Sequence, residues 1–490
     1  MGRILSVKHL SDILDSRRWE LTLSILTAVG CVTGFLIAGL PLIDAGLIVL
    51  GGAFFVGLCL EPLVGMIVAL LIGPLRAWLQ IAMPGIPDRL GQIVLALTLG
   101  IWLVRRLTQR KLWIATPPLL APLSGLVGLF WLSLWSPVDV WVGFLELAKW
   151  GQILLVFLIV FQRIRWSSRR VTARAMVAAL LGAGLIQAGV GLWQFLIRGD
   201  GPEAFLISGR LYRAYGTFQQ PNPYAGFIGM VAAVAVGLAG GMWDRWFRGE
   251  VSEGWWPFLR RLLVSVAAVL LIVGLVGSWS RGGWLGFGAA TLAMAALFPR
   301  RKLWGVVGIG VLAFSGWVAY RAGWLPAAIS DRLTGFLVYT KFSDVRGVAV
   351  TDASYAVLER MAHWQAALAM WRDHFWLGVG LGGYEPAYPA YRLANWPLAL
   401  GHAHNTYLNL LAETGLLGLS AYLVWLGLWG GRLIGVSRRL TGWRRGLALG
   451  LIGAWCQFAV HSLVDSLLVN DVHLHVGLML ALSAWLFTTE

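Results

Sequence analysis

Charge is what this 490-residue chain has least of: 13% of its residues are Asp, Glu, Lys or Arg, against 58% that are hydrophobic. Soluble globular domains carry about a quarter charged residues. With a mean hydropathy of +0.73, the composition therefore excludes a soluble globular chain and describes an integral membrane protein. Acidic residues are the scarcest, 23 against 39 Lys and Arg, for a formal net charge of +16. A surplus of that sign can mark a nucleic-acid binder. Here, however, the basic residues fall in short clusters between apolar runs, as the positive-inside rule arranges them, and nucleic acid is not an expected partner. Cysteine is nearly absent. Cys31, Cys59 and Cys456 each sit inside an apolar run, so no disulfide framework or CxxC site is available, and the three read as packing residues. The chain also lacks a GxxxxGK[ST] phosphate loop and an HExxH metal helix, which leaves ATP-driven chemistry unsupported and no cofactor expected.

What the chain has instead is apolar runs of membrane-crossing length. They fall at 21–42, 44–60, 62–80, 90–107, 117–136, 141–161, 172–197, 223–243, 258–279, 281–298, 303–323, 405–430, 446–467 and 472–488. The pair divided by Glu61-Pro62 reads either as two short spans or as a re-entrant hairpin. The expected fold is all-α, a polytopic transmembrane helical bundle of about 12–14 spans. Threading the runs alternately puts Arg105, Arg106, Arg110 and Lys111 on one side with Arg163, Arg165, Arg169, Arg170, Arg245, Arg248, Arg300, Arg301, Lys302, Arg432, Arg438, Arg439, Arg444 and Arg445. That side is the cytoplasm, which holds both termini. Tryptophans at run ends, among them Trp131, Trp135, Trp141, Trp150, Trp255 and Trp256, suit an aromatic belt.

Two outer segments break the arginine bias. One is 198–222, with Arg198, Arg210 and Arg213 ahead of Gly216-Thr217-Phe218-Gln219-Gln220-Pro221-Asn222-Pro223. The other is the long stretch 324–404, a large, partly helical extracytoplasmic loop domain between the spans of 1–323 and those of 405–490. Loops of this length are usually functional or disordered, and this one is too aromatic for disorder. Its centre, from Thr351-Asp352 to Phe375, reads as a capped helix with Arg360, Trp364, Ala367 and Trp371 on one face. Gly378-Val379-Gly380-Leu381-Gly382-Gly383 satisfies GxGxxG, but it follows a helix instead of a strand and is not a nucleotide site. His402, His404, His461, Asp465, Asp471, His473 and His475 read as interfacial or mutually satisfied polar groups or, less simply, as metal ligands; His461 and Asp465, at i and i+4, would pair. Arg281, in Ser278-Trp279-Ser280-Arg281-Gly282-Gly283, either snorkels to headgroups or is held over a cavity by a reversal at the two glycines.

The rest of the chain is organised around His402-Ala403-His404-Asn405, where a polar segment runs directly into an apolar helix. A helix starting near Asn405 places Asn405, Asn409 and Glu413 on one face, and its first-turn N–H groups suit an anion. From His404 the residues read His-Asn, nine residues, Gly415, two residues, Gly418. This pattern resembles that of O-antigen ligases. Ser280-Arg281-Gly282, Gly216-Thr217-Phe218 to Asn222, and Glu359-Arg360 through Trp364 to Gly378-Val379-Gly380 also resemble elements of the O-antigen ligase/polymerase superfamily, in family order over about 210–420. The resemblance implies transfer of a glycan from a polyprenyl diphosphate carrier to an acceptor hydroxyl on a lipid, glycan or protein, at the outer face of the bacterial cytoplasmic membrane. It implies His404 as base and Arg281 and Arg360 on the diphosphate. The substrate-binding residues expected beside them are Arg213, Asn222, His402, Asn405 and Asn409. Because a glycosyl diphosphate is already activated, neither metal nor cofactor is expected. Some relatives have been proposed as bicarbonate carriers, so an inorganic-anion transporter is the alternative. A transporter places charge at the bilayer midplane, whereas here it sits at the outer boundary.

Overall fold

The computed structural model describes residues 41–488 apart from 84, 86, 88, 111–114, 167–168, 208, 250–253, 300, 325–326 and 335–343. The expected run 21–42, Cys31 included, lies outside the described residues but for its last two. The chain forms two compact units, residues 1–65 and 66–490. In the first, α1 (Leu42–Leu60) ends at Glu61, whose backbone is extended. Pro62 then opens α2 (Pro62–Ile72), where a missing N–H leaves nothing unsatisfied. Cys59 is exposed on α1 and does not pack as expected; Cys456, half-buried, lies against a cluster of Ala233, Ala290 and Met294.

In the second unit a short 3₁₀ turn, Gly73–Leu75, joins α2 to α3 (Arg76–Ala82). There follow α4 (Leu90–Thr108), α5 (Leu120–Leu132), α6 (Val140–Trp166), α7 (Arg169–Leu196), α8 (Pro221–Phe247), α9 (Trp255–Gly277), α10 (Arg281–Leu297) and α11 (Lys302–Arg321). Then come α12 (Ala327–Thr334), α13 (Asp352–Asp373), α14 (Tyr384–Tyr391), α15 (Thr406–Ser437), α16 (Gly442–His461) and α17 (Val472–Phe487). The strands among the described residues are Leu206–Ile207 (β1) and Leu211–Tyr212 (β2), an antiparallel pair. Among the described residues, eight helical stretches are long and apolar enough to cross a membrane: Pro62–Ala82 and the stretches of α4, α6, α7, α8, α9, α11 and α15. Three shorter apolar helices accompany them, at Asp44–Leu60, Leu120–Trp135 and Val472–Phe487. The protein is an all-α polytopic membrane protein.

The centre of the bundle is α8, with 78% of its apolar window buried, whereas α11 has 6% and faces outward along its length. Lipid tails are as apolar as leucine, so helices in a membrane approach through small residues and gain van der Waals contact. Gly237 and Gly241 of α8 lie against Gly446 and Gly450 of α16, two GxxxG pairs in reciprocal register. A Cβ on Gly237 would stand 2.2 Å from Gly450 N. Most of the tryptophans expected at run ends are exposed, but Trp150 is 2% exposed. It packs edge-on against Phe130, Tyr422 and Trp425, so it is a core residue and not part of a belt.

Residues 344–404 are folded onto the bundle. Thr351 caps α13, accepting from Ser354 N and pairing with the Ser354 hydroxyl, as the sequence predicts. Ala366, Ala367 and Met370 of α13 form a core with Tyr384 and Tyr388 of α14, Ala403, and Ala412 of α15. The decisive contact is a break in α15. Gly415 has φ +62° and ψ −165°, a region essentially restricted to glycine. The chain segment before Gly378 docks into the break. Leu416 N donates to Phe375 O (2.9 Å), Leu417 N to Trp376 O (3.3 Å), and Val379 N to Ala412 O (2.9 Å). These bonds satisfy the backbone groups the break exposes, the condition on which broken helices are tolerated at membrane depth. The Gly-rich run is thus a docking loop, consistent with its exclusion as a nucleotide site. Glu413 holds it from the other side, accepting from Tyr384 N at 3.3 Å, from Gly382 N and from the Asn409 side chain.

Candidate active site

At one end of the bundle, under α13, lies a cavity of about 600 Å³. Its walls come from the start of α8 (Asn222), the start of α10 (Ser280, Arg281, Gly282), α12 (Arg332), α13 (Arg360, Trp364) and the segment after α16 (Val464, Asp465), with Arg213 from beside β2. Each element is held locally. Two glutamines two turns apart on α7 clamp the Gly216-Thr217 turn that precedes α8: Gln194 Oε1 accepts from Tyr215 N and Gly216 N, and Gln187 Oε1 from Thr217 N. Asn222 Oδ1 then accepts from both Arg213 Nη2 (3.2 Å) and Ser280 Oγ (2.9 Å), tying the two segments together. The reversal before Arg281 is made by Trp279, which is left-handed with φ +53°, not by the two glycines as expected. Gly282 and Gly283 instead let α10 approach closely: a Cβ on Gly282 would lie 2.6 Å from Val464 Cγ2, and one on Gly283 2.7 Å from Ala225 Cβ.

Four guanidinium groups therefore share one cavity with one carboxylate. Arg213 Nε donates to Ser278 O (2.9 Å), Arg332 donates twice to Trp279 O (3.1 and 3.3 Å), and Arg360 Nη1 donates to Ala356 O (3.0 Å). These are carbonyl partners, which orient a guanidinium without neutralising it. Burial, and then the charges of Arg332, Arg360 and Arg281, push Arg213 down to about 9; Arg332 is lowered by burial and by Arg360. Removing a cation from water costs several kcal/mol per ion, and a single carboxylate, Asp465, stands against four guanidiniums here. The cluster is thus arranged to gain from an anion that spans it, and phosphate oxygens match the planar fork of arginine. The apolar wall of the same cavity is made of Leu285 of α10 and Val357, Met361 and Leu368 of α13, the helices that also carry Arg281 and Arg360.

Beside this cavity stands His404, left-handed at φ +50°. Asn405 is the N-cap of α15, its Oδ1 accepting from Tyr407 N (3.0 Å) and Leu408 N (3.1 Å). Asn409 Oδ1 accepts from Ala403 N (3.0 Å). Both asparagines thus hold the backbone that carries His404. Its Nδ1 is 3.7 Å from Asp465 Oδ1, and His402 Nε2 is 4.0 Å from the same oxygen. The His404 N–H donates to His402 Nδ1 (3.0 Å), which places the His402 proton on Nε2, facing Asp465. Burial, with a further contribution from His404 and Arg360, pushes His402 down to about 4 against the opposing pull of Asp465. Burial acts to raise the Asp465 carboxyl, but the His404, His402, His461 and Arg360 groups beside it outweigh that and hold it well below the usual carboxylate range. With Nδ1 turned to a carboxylate, His404 keeps Nε2 for a proton. The expected pairing of Asp465 with His461 does not form as an i, i+4 helical pair: α16 ends at His461, and Thr406 Oγ1 ties Asp465 O (3.0 Å) to the start of α15.

Residues 266–423 match the family model described as O-Antigen ligase. This stretch is similar to that family. No match was found among curated proteins. The family match supports a membrane glycosyl-transfer-like function in general. The matched residues include Arg281, Arg332, Arg360, His402 and His404, while Arg213 from beside β2, Asn222 from α8 and Asp465 from the segment after α16 lie outside them and complete the site.

Of the residues singled out in the sequence, Arg213, Asn222, Arg281 and Arg360 converge on the cavity, and His402 and His404 stand beside it behind Asp465. Asn405 and Asn409 support the backbone. Sequence reasoning missed Arg332, which lies in no motif, and Asp465 as the partner of His404. It also missed His363, three residues after Arg360 on α13. The one group of metal-type ligands among the described residues is His402, His404 and Asp465, whose ligand atoms lie within 4.8 Å of one another.

Proposed function

We propose that the protein transfers a glycan from a polyprenyl diphosphate carrier to an acceptor hydroxyl, at the membrane face opposite the arginine-rich cytoplasmic loops. The observation that carries this reading is the union in one cavity of four guanidiniums and an apolar wall, with a carboxylate-oriented histidine at its edge. Arg213, Arg281, Arg332 and Arg360 hold the diphosphate, and the apolar wall takes the first part of the carrier chain. His404 Nε2 accepts the proton of the acceptor hydroxyl as its oxygen attacks the anomeric carbon, with Asp465 stabilising the imidazolium that forms. The diphosphate leaves with the electron pair of the broken bond, and the arginines meet its developing charge.

Because arginine meets the leaving group, transfer by purified, detergent-solubilised protein should survive exhaustive chelation. Activity lost to chelator and restored by one divalent ion would contradict the assignment and would point to His402, His404 and Asp465 as ligands. The arginine bias along the chain also sets the sidedness. Cysteines introduced in 344–404 should react with an impermeant thiol reagent in intact cells, and cysteines in 438–442 should not. The reverse pattern would invert the topology.

A further inference from the structure

His363 is not used by the mechanism above, yet it touches the proposed base. It lies on α13, almost one turn beyond Arg360, and is 1% exposed. Its ring stacks on Tyr388 (centroids 4.7 Å apart, 23° between planes) and meets His404 edge-on at 5.7 Å. The Tyr384 hydroxyl donates to the His363 carbonyl oxygen (3.2 Å), so that hydroxyl oxygen accepts from His363 Nδ1–H (2.8 Å) and holds the ring in place. Burial, and then His404 and His402, push His363 down to about 4. At neutral pH it is uncharged and is not a competing base. On its other side His404 meets the His402 ring at 4.4 Å. Between these rings both His404 ring nitrogens are closed off from solvent, and neither lies within hydrogen-bond distance of a partner among the described residues.

A base that activates an acceptor hydroxyl activates water equally well. In the competing reaction a water oxygen bonds to the anomeric carbon as the bond from that carbon to the diphosphate breaks. The water proton passes to His404 Nε2, the carrier diphosphate leaves with the electron pair, and a free glycan is released. We infer that His363 is a positioning residue that keeps water from His404, so that the glycan passes to the acceptor and not to solvent. An acceptor has the binding energy to displace α13 from the base, and a lone water does not. This inference rests on the reading of His404 as the base.

The test uses the full chain, purified, with a lipid-diphosphate glycan donor, with and without acceptor, measuring free and transferred glycan together. The His363→Ala variant opens a space with polar partners for water, and its ratio of hydrolysis to transfer should rise about tenfold or more. His363→Phe keeps a ring over His404 and should hold the ratio near that of the native protein. Should His363→Ala fail to fold, His363→Gln decides, since it keeps a donor toward Tyr384 but uncovers the base and should leak. An unchanged ratio in the alanine and glutamine variants, or a phenylalanine variant that leaks as they do, overturns the role of His363. No transfer by the native protein overturns the reading of His404 instead, so the two failures are distinguishable.

Discussion

Transfer is expected to fall by about 10²- to 10⁴-fold when His404 is replaced by alanine, the usual contribution of a general base, while the protein stays inserted and folded. The second half of that expectation rests on position. His404 precedes α15 and is left-handed, so removing its ring neither deletes a helical residue nor leaves a large void in the bundle. Arg281→Lys and Arg360→Lys keep the charge but replace a planar fork with a compact ammonium. Hydrogen bonds to charged groups contribute about 1.5–3 kcal/mol, so each variant should lose roughly 10- to 100-fold. Asp465→Asn should also reduce transfer, because the amide preserves shape without the charge that orients His404. An active His404→Ala beside an inactive His402→Ala would move the base by two residues.

Gly415→Ala should be the most damaging change remote from the chemistry. The backbone there is one that residues with a Cβ reach at a cost of about 1–3 kcal/mol, and the added Cβ would lie 2.3 Å from the Trp376 carbonyl carbon and oxygen. Relieving that overlap means undocking 375–379 from the break in α15, and with it the loop that positions His404 and α13. The expected result is a lower Tm in detergent and new proteolytic cleavage between 375 and 383. At Gly427, in the same helix, an added Cβ would meet nothing within 4 Å, so Gly427→Ala should match the native protein. Equal behaviour of the two variants would remove the docked break from the account.

Much of this architecture is legible in the residues because it depends on local order. Apolar run length marks helices of span length, and most described helices begin and end within a few residues of the runs. Thr351-Asp352 marks the start of α13. What is not legible depends on contacts between distant segments. Nothing near Asp465 in sequence indicates that α16 stops at His461 and turns the carboxylate toward His404. Arg332 sits in a segment without a motif and reaches the cavity because Trp279 O accepts its guanidinium. Trp150 has the sequence setting of a belt residue and is buried because α5 and α15 cover it, a fact of packing that hydropathy does not carry. The two glycines after Arg281 suggest a sharp reversal by residue type, whereas their role is to let α10 approach α8 and the segment after α16.

The most direct measurement follows both products of the native protein in proteoliposomes supplied with a polyprenyl diphosphate glycan and an acceptor bearing a free hydroxyl. The account predicts one carrier diphosphate released for each glycan transferred, in the presence of chelator, with both products lost together in His404→Ala. Bicarbonate uptake by the same proteoliposomes, with no glycan transferred and no carrier diphosphate released, would contradict it.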